Sequence, residues 1–236
     1  METRPLTNNT SIIHALDVED LKTAIGIAKA VEPFVDAIKL PWLLVMANGA
    51  QALSKVKSEV DLPIIADFKV ADIPEISSAI VRRAIECGAD GITLQGFVGK
   101  DTLTKCIEAA HKNSAYTFVV AEMTHPGAEQ FMQPVGAEIA EMARELGSDG
   151  IVAPATRPDR TREYRRIVGD EVMIISPGVG VQGATFGEAV RAGANYEIIG
   201  RLIYQAQTPA AAAREASEMI ALVKTQMKPF SYGTEN

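Results

Sequence analysis

The chain has 236 residues, 47% hydrophobic and 22% charged, with a formal net charge of −7. Such a composition fits a soluble globular protein with a sizeable core, and the acidic balance disfavours a general nucleic-acid or acidic-membrane binder. The longest apolar runs are too short and interrupted to span a bilayer, and the opening METRPLTNNTS lacks the apolar stretch of a signal peptide.

Strand-like and helix-like segments alternate along the sequence. An apolar run at 11–16 ends at Asp17 and precedes a helix over 18–31, whose Leu21, Ala24, Ile25 and Ala28 form one stripe. Residues 34–40 form the second strand, closing at Lys39 and Pro41, and 42–60 a helix broken at Asn48-Gly49. LPIIADF is the third strand, followed by a helix over 73–87 stopped by Gly88. Strands are expected again at 90–96, 115–123, 149–155, 171–177 and 195–201. The helices after them fall at 101–113, 137–146, 157–168, 186–192 and 209–228, with Thr208 as N-cap of the last and a long loop at 124–136.

Eight units of about 30 residues, with continuous apolar strands, indicate strands covered on both faces. The expected fold is an α/β (β/α)8 TIM barrel over 11–228, between an N-terminal extension at 1–10 and a flexible C-terminal tail at 229–236. An open doubly wound sheet is the runner-up. A barrel works at the C-terminal ends of its strands, and polar residues collect there: Asp17, Lys39, Asp67, Lys69, Gln95, Thr124, His125, Arg157 and Arg201.

The densest of these sites is IIADFKVADIPE, residues 64–75. In an extended strand Asp67 and Lys69 point the same way, with Asp72 at the strand's end. A core does not accept such an array unless it is paired. The same residues also fit a bland reading, with Asp67 and Lys69 as a structural ion pair and Asp72 with Glu75 as a capping box.

After the seventh strand, SPGVGVQGATFG places Gly178, Gly180 and Gly183 in a G-x-G-x-x-G string. A dinucleotide fingerprint belongs in a first βα turn, and the acid about twenty residues on, Glu197, lies within a strand rather than at its end. A phosphate suits the loop better. Glycines admit close backbone approach to an anion, barrels bind phosphate after strands seven and eight, and the eighth strand ends Gly200-Arg201. Cys87 and Cys106 read as free thiols of a reducing cytoplasm, and His14, His111 and His125 lack metal-ligand spacing.

Taken in order, ALD (15–17), IKLP (38–41), ADFKVADIPE (66–75), MTHPGAE (123–129), ISPGVGVQG (175–183) and IIGR (198–201) resemble the orotidine 5′-phosphate decarboxylases in their short, archaeal-like form. The resemblance implies cofactor-free loss of CO2 from orotidine 5′-monophosphate, the last step of de novo pyrimidine nucleotide synthesis. It makes Lys69 the proton donor to C6, places Asp67 beside the leaving carboxylate and puts Lys39 in the same charge network. It also implies a cytoplasmic homodimer in which Asp72 and Ile73 serve the neighbouring subunit's site. Asp17 and Lys39 would hold the ribose and Thr124 the base. Gln182, Gly200 and Arg201 would hold the phosphate, with Pro177, Gly178, Gly180 and Gly183 lining the loop. Loops 178–187 and 124–133 would close over the substrate. Two positions depart from the family pattern: Thr124 stands in place of serine and Ile76 in place of threonine.

Two other functions are compatible with parts of the pattern. Mg2+-dependent 3-keto-L-gulonate 6-phosphate decarboxylases and hexulose-6-phosphate synthases share D-x-K-x-x-D but need an acid at the end of strand two, where this chain has Lys39. A non-catalytic barrel binding a phosphorylated ligand would not need Asp67, Lys69 and Asp72 together.

Overall fold

The computed structural model describes residues 3–227. Among them, eight parallel strands close into a barrel in sequence order: β1 (Ile12–Ala15), β2 (Ala37–Pro41), β3 (Ile64–Val70), β4 (Gly91–Gln95), β5 (Tyr116–Val120), β6 (Gly150–Val152), β7 (Met173–Pro177) and β8 (Tyr196–Ile199). Closure is made by β1 on β8, with Ile12 opposite Glu197 and His14 opposite Ile199. Alternate residues face inward. Ile13, Ala15, Ala37, Ile65, Phe118, Val120, Val152, Ile175, Tyr196 and Ile198 fill the barrel, while Ile12, Ile38, Ile64, Ile92 and Ile174 pack outward under the helices.

Most elements fall where the pattern places them, and the differences have local causes. Pro33 starts a 3-10 turn at Glu32–Phe34, so β2 begins only at Ala37. The segment 42–60 is two helices, Trp42–Asn48 and Ala52–Lys57, separated at Gly49. The expected long loop after β5 holds a helical turn, Ala128–Phe131, and a 3-10 turn, Gln133–Val135. β8 stops at Ile199, so Arg201 opens a short helix, Arg201–Tyr204, instead of ending the strand. The last helix runs Pro209–Gln226, with Thr208 at its N-cap position but no side-chain cap bond. The expected tail at 229–236 lies outside the described residues.

At the strand starts, four side chains repeat one contact around the barrel. The residue before each even-numbered strand accepts a backbone N–H near the start of the strand preceding it. Asp36 takes Ile12 N–H (3.3 Å), Asp90 takes Ile64 (2.8 Å), Asp149 takes Thr117 (2.8 Å) and Asn195 takes Ile174 (2.8 Å). Each contact satisfies an N–H that the ladder leaves free. Residues ahead of β1 add to this end: Arg4 N–H reaches Asp90 at 2.8 Å, and Asn9 and Thr10 reach Asp36. With that end sealed, the opposite mouth holds the cavity.

Candidate active site

At the C-terminal mouth a cavity of about 240 Å3 is lined from every strand. Its floor is the top of the inner core, Ala15, Val120, Val152 and Ile198. Its polar walls are Asp17 after β1, Lys39 on β2, Asp67 and Lys69 on β3, Thr93 on β4, Thr124 after β5, and Gly200 with Arg201 after β8. Pro177, Gly178 and Gln182 close it on the β7 side.

The charges form one bonded array around Asp67. Its Oδ2 accepts from Lys39 Nζ, and its Oδ1 accepts from Lys69 Nζ at 2.7 Å and from Thr93 Oγ1 at 2.9 Å. Burial alone would raise the Asp67 carboxyl, but the Lys39 and Lys69 ammonium groups outweigh it and hold it well below the usual carboxylate range. Burial likewise pulls Lys39 down, yet Asp67 and Asp17 overcome this and keep it above the ordinary lysine value. The side chains of Lys39 and Asp67 are 7% and 10% exposed, whereas Lys69 is 35% exposed. Lys69 is thus the most accessible cation of this array.

Asp67 and Lys69 share a side, as strand alternation predicts, but β3 is not regular there. Between the pairs Ala66–Ile92 and Val70–Leu94 the register slips, so that Asp67, Phe68 and Lys69 all lie opposite Thr93. Lys69 has φ 45°, in the left-handed region that a lysine seldom visits. Two side chains satisfy the bulge: Thr93 Oγ1 accepts the Lys69 N–H at 2.9 Å, and Trp42 Nε1 donates to the Phe68 carbonyl at 2.9 Å while stacking on the Phe68 ring. Sequence reading missed Thr93 and Trp42. The only available signal was a hydroxyl in mid-strand, two residues before the polar end at Gln95.

The proposed capping box at Asp72 does not form. Ile73 is the N-cap residue of the helix Pro74–Glu86, and Glu75 pairs outward with Lys105. Ser77 bonds the Asp72 backbone instead, its Oγ accepting from the N–H (3.1 Å) and donating to the carbonyl (2.8 Å). Asp72 and Ile73 stand apart from the cavity of their own chain, in a shallow depression with Pro74, Val98, Asp101 and Thr102.

Three strand-end residues are likewise absent from the cavity. His125 is exposed, and Gln95 packs its amide on Met123 Sδ at 3.7 Å. Arg157 turns under the β5 loop to the buried Glu122, whose carboxylate also accepts from Arg160 and from Tyr164 Oη (2.7, 2.9 and 2.6 Å). Arg160 donates onward to the Gln133 carbonyl at 3.0 Å, so these arginines brace the loop that carries Thr124.

The glycine loop folds back on itself, with Gly180 N–H on the Ala184 carbonyl at 2.7 Å and Gly183 N–H on that of Gly180 at 2.8 Å. Gly180 (φ 84°) is pressed on Leu202, where a Cβ would lie 2.1 Å from the side chain. Gly178 and Gln182 line the cavity; Gly180 and Gly183 shape the turn behind them. Glu197 faces outward from β8 and accepts N–H bonds from Gly187 and Ala189, both at 2.9 Å, so it anchors the loop's far end instead of reading a ribose. The arrangement can hold an anion between the loop and Arg201, and can present an ammonium to a reacting centre above the apolar floor.

Known proteins resemble this chain over nearly its whole length. The model of the "Orotidine 5′-phosphate decarboxylase / HUMPS family" matches residues 10–216. A Methanosarcina acetivorans protein named orotidine 5′-phosphate decarboxylase is 48% identical over 215 residues, covering 91% of this chain and 96% of the relative. One of the same name from Thermococcus kodakarensis is 42% identical over 209 residues, covering 89% and 96%. Among solved structures, orotidine 5′-monophosphate decarboxylase of Methanocaldococcus jannaschii, complexed with the inhibitor BMP, superposes with a TM-score of 0.85 at 40% identity. That match covers 89% of this chain and 98% of the other.

Proposed function

The chain belongs to the orotidine 5′-phosphate decarboxylase / HUMPS family, and from that premise we propose that it decarboxylates orotidine 5′-monophosphate to uridine 5′-monophosphate without a cofactor, the closing step of pyrimidine nucleotide synthesis. The observation that carries this reading is the Lys39–Asp67–Lys69 array, set in one cavity with the glycine loop and Arg201. The phosphate sits between Gln182, the Gly178 loop backbone, Gly200 and Arg201, whose guanidinium supplies paired donors. Asp17 and Lys39 take the ribose hydroxyls and Thr124 the base. These contacts place C6 of the pyrimidine beside Lys69.

The C6–carboxylate bond then breaks, CO2 leaves, and the electron pair stays at C6. No iminium forms to receive that charge, so the fixed ammonium of Lys69 stabilises it electrostatically. Lys69 Nζ–H transfers its proton to C6, leaving a neutral amine that solvent reprotonates. Asp67, held by two cations and a hydroxyl, cannot swing away from the departing carboxylate. Binding energy from the remote phosphate closes the 178–187 loop and is expressed in kcat as well as KM.

The site is completed by a second copy of the chain, whose Asp72 and Ile73 enter this cavity's mouth. Ile73 is 60% exposed, and Trp42, Leu43, Met46, Ile76 and Phe97 are exposed apolar residues at the mouth side of β2 to β4. Together they supply an apolar face for that contact. Ile76 therefore packs in the interface instead of touching substrate.

Lys69→Ala is expected to slow loss of the orotate absorbance by about a thousandfold or more; turnover at the wild-type rate removes Lys69 as proton donor. Wild-type turnover should persist in EDTA, and its loss would favour the Mg2+-dependent branch. Arg201→Ala is expected to raise KM for the nucleotide far more than for the phosphate-free nucleoside. Equal effects on both would take Arg201 out of the phosphate site.

A further inference from the structure

We infer that Thr93 is a positioning residue for the chemistry at Lys69, an assignment that rests on the decarboxylase reading of this cavity. Thr93 is the one β4 residue opposite the three-residue bulge of β3. It is 1% exposed, and its hydroxyl is used in both directions, accepting the Lys69 backbone N–H at 2.9 Å and donating to Asp67 Oδ1 at 2.9 Å. A hydroxyl has a single proton to donate, so this one is committed to protein and acts on substrate only through its neighbours.

The two bonds have different consequences. The first replaces the ladder contact that the slipped register removes, and so holds Lys69 at φ 45°. From that backbone conformation Lys69 Nζ lies 2.7 Å from Asp67 Oδ1. The second fixes the plane of the Asp67 carboxylate, whose other oxygen is taken by Lys39. One hydroxyl therefore ties the backbone of the proton donor to the carboxylate that aims it. Without it the part-buried Lys69 N–H loses its protein partner, and the strand relaxes toward extended geometry with the ammonium displaced. The Phe68 carbonyl keeps its bond from Trp42, so the rest of the bulge stays anchored and the loss is confined to Lys69 and Asp67.

The test compares wild type, Thr93→Val and Thr93→Ser as the full chain, measuring kcat and KM for orotidine 5′-monophosphate and affinity for uridine 5′-monophosphate. Valine keeps the volume and removes the hydroxyl. It is expected to lower kcat about a hundredfold, the effect of a misplacement near 1 Å, with KM and product affinity unchanged, and serine is expected to restore most of kcat. A valine variant with wild-type kcat overturns the inference, as does a serine variant as slow as valine, or a loss shared equally by product affinity. A second measurement does not depend on the valine variant folding. Amide exchange should show the Lys69 N–H protected in wild type and in Thr93→Ser, and a freely exchanging Lys69 amide in wild type overturns the inference. If wild type itself fails to decarboxylate, the functional reading falls; if it turns over and Thr93→Val matches it, only Thr93 is removed.

Discussion

Asp67 and His14 illustrate opposite ways of burying an ionisable side chain. Asp67 is charged and triply bonded. His14 lies on the outer face of β1 and is neutral, with Nδ1 donating to the Ile199 carbonyl at 2.9 Å and Nε2 buried without a partner. Burial, opposed by the bond to Ile199 and reinforced by Lys39, lowers its pKa from 6.5 to about 4. Between those values the unfolded chain binds a proton that the native state refuses, so stability falls as pH falls, by up to about 3 kcal/mol from this group. Asp67 acts in a lower window. Its lowered carboxyl contributes stability that is complete above 3.8 and lost as pH drops below it. Urea denaturation at pH 7 and pH 4.5 should show His14→Leu losing less stability than wild type over that interval. Equal losses would mean that the ring is not buried neutral.

Loops at the scale of one element depend on where their ends are tied. The glycine loop leaves β7 at Pro177 and is caught again at Gly187, whose N–H bonds Glu197. Gly187 has φ 80°, and a Cβ there would meet Val223 of the last helix at 2.5 Å. Gly187→Ala therefore adds both backbone strain and a clash, and is expected to cost about 1–3 kcal/mol of stability in denaturant melts. Adding Val223→Ala should recover the part due to the clash. No recovery would place the whole cost in the backbone.

The whole molecule has two ends with different tasks: a sealed one, where Asp36, Asp90, Asp149 and Asn195 cap strand starts, and an open one that carries the charges. Asp72 belongs to the open end but not to its own chain's cavity. Subunit exchange tests the proposed sharing of the site directly. Lys69→Ala and Asp72→Asn homodimers should each be nearly inactive. Mixed and allowed to exchange, they should regain activity, because the heterodimer pairs one intact Lys69 with the partner's Asp72. No recovery after proven exchange would assign Asp72 to its own chain or to no site.

What could be read from the chain alone was whatever repeats locally. Apolar runs such as 11–16 and 115–123, punctuated by helix stripes, are enough for a barrel, and the spacing of Asp67 to Lys69 is enough to put both on one side. The polar residues at strand ends then named most of the cavity wall. The tertiary structure alone decided who stands opposite whom. The bulge that holds Lys69 left-handed, the Thr93 hydroxyl that completes it, the turning of Arg157 away to Glu122, and the use of Ser77 rather than Glu75 at the helix start all depend on register or packing between segments. Side-chain periodicity reports which face a residue occupies. The partner it finds there is set by strand register and helix packing, interactions between residues distant in sequence that no local pattern encodes.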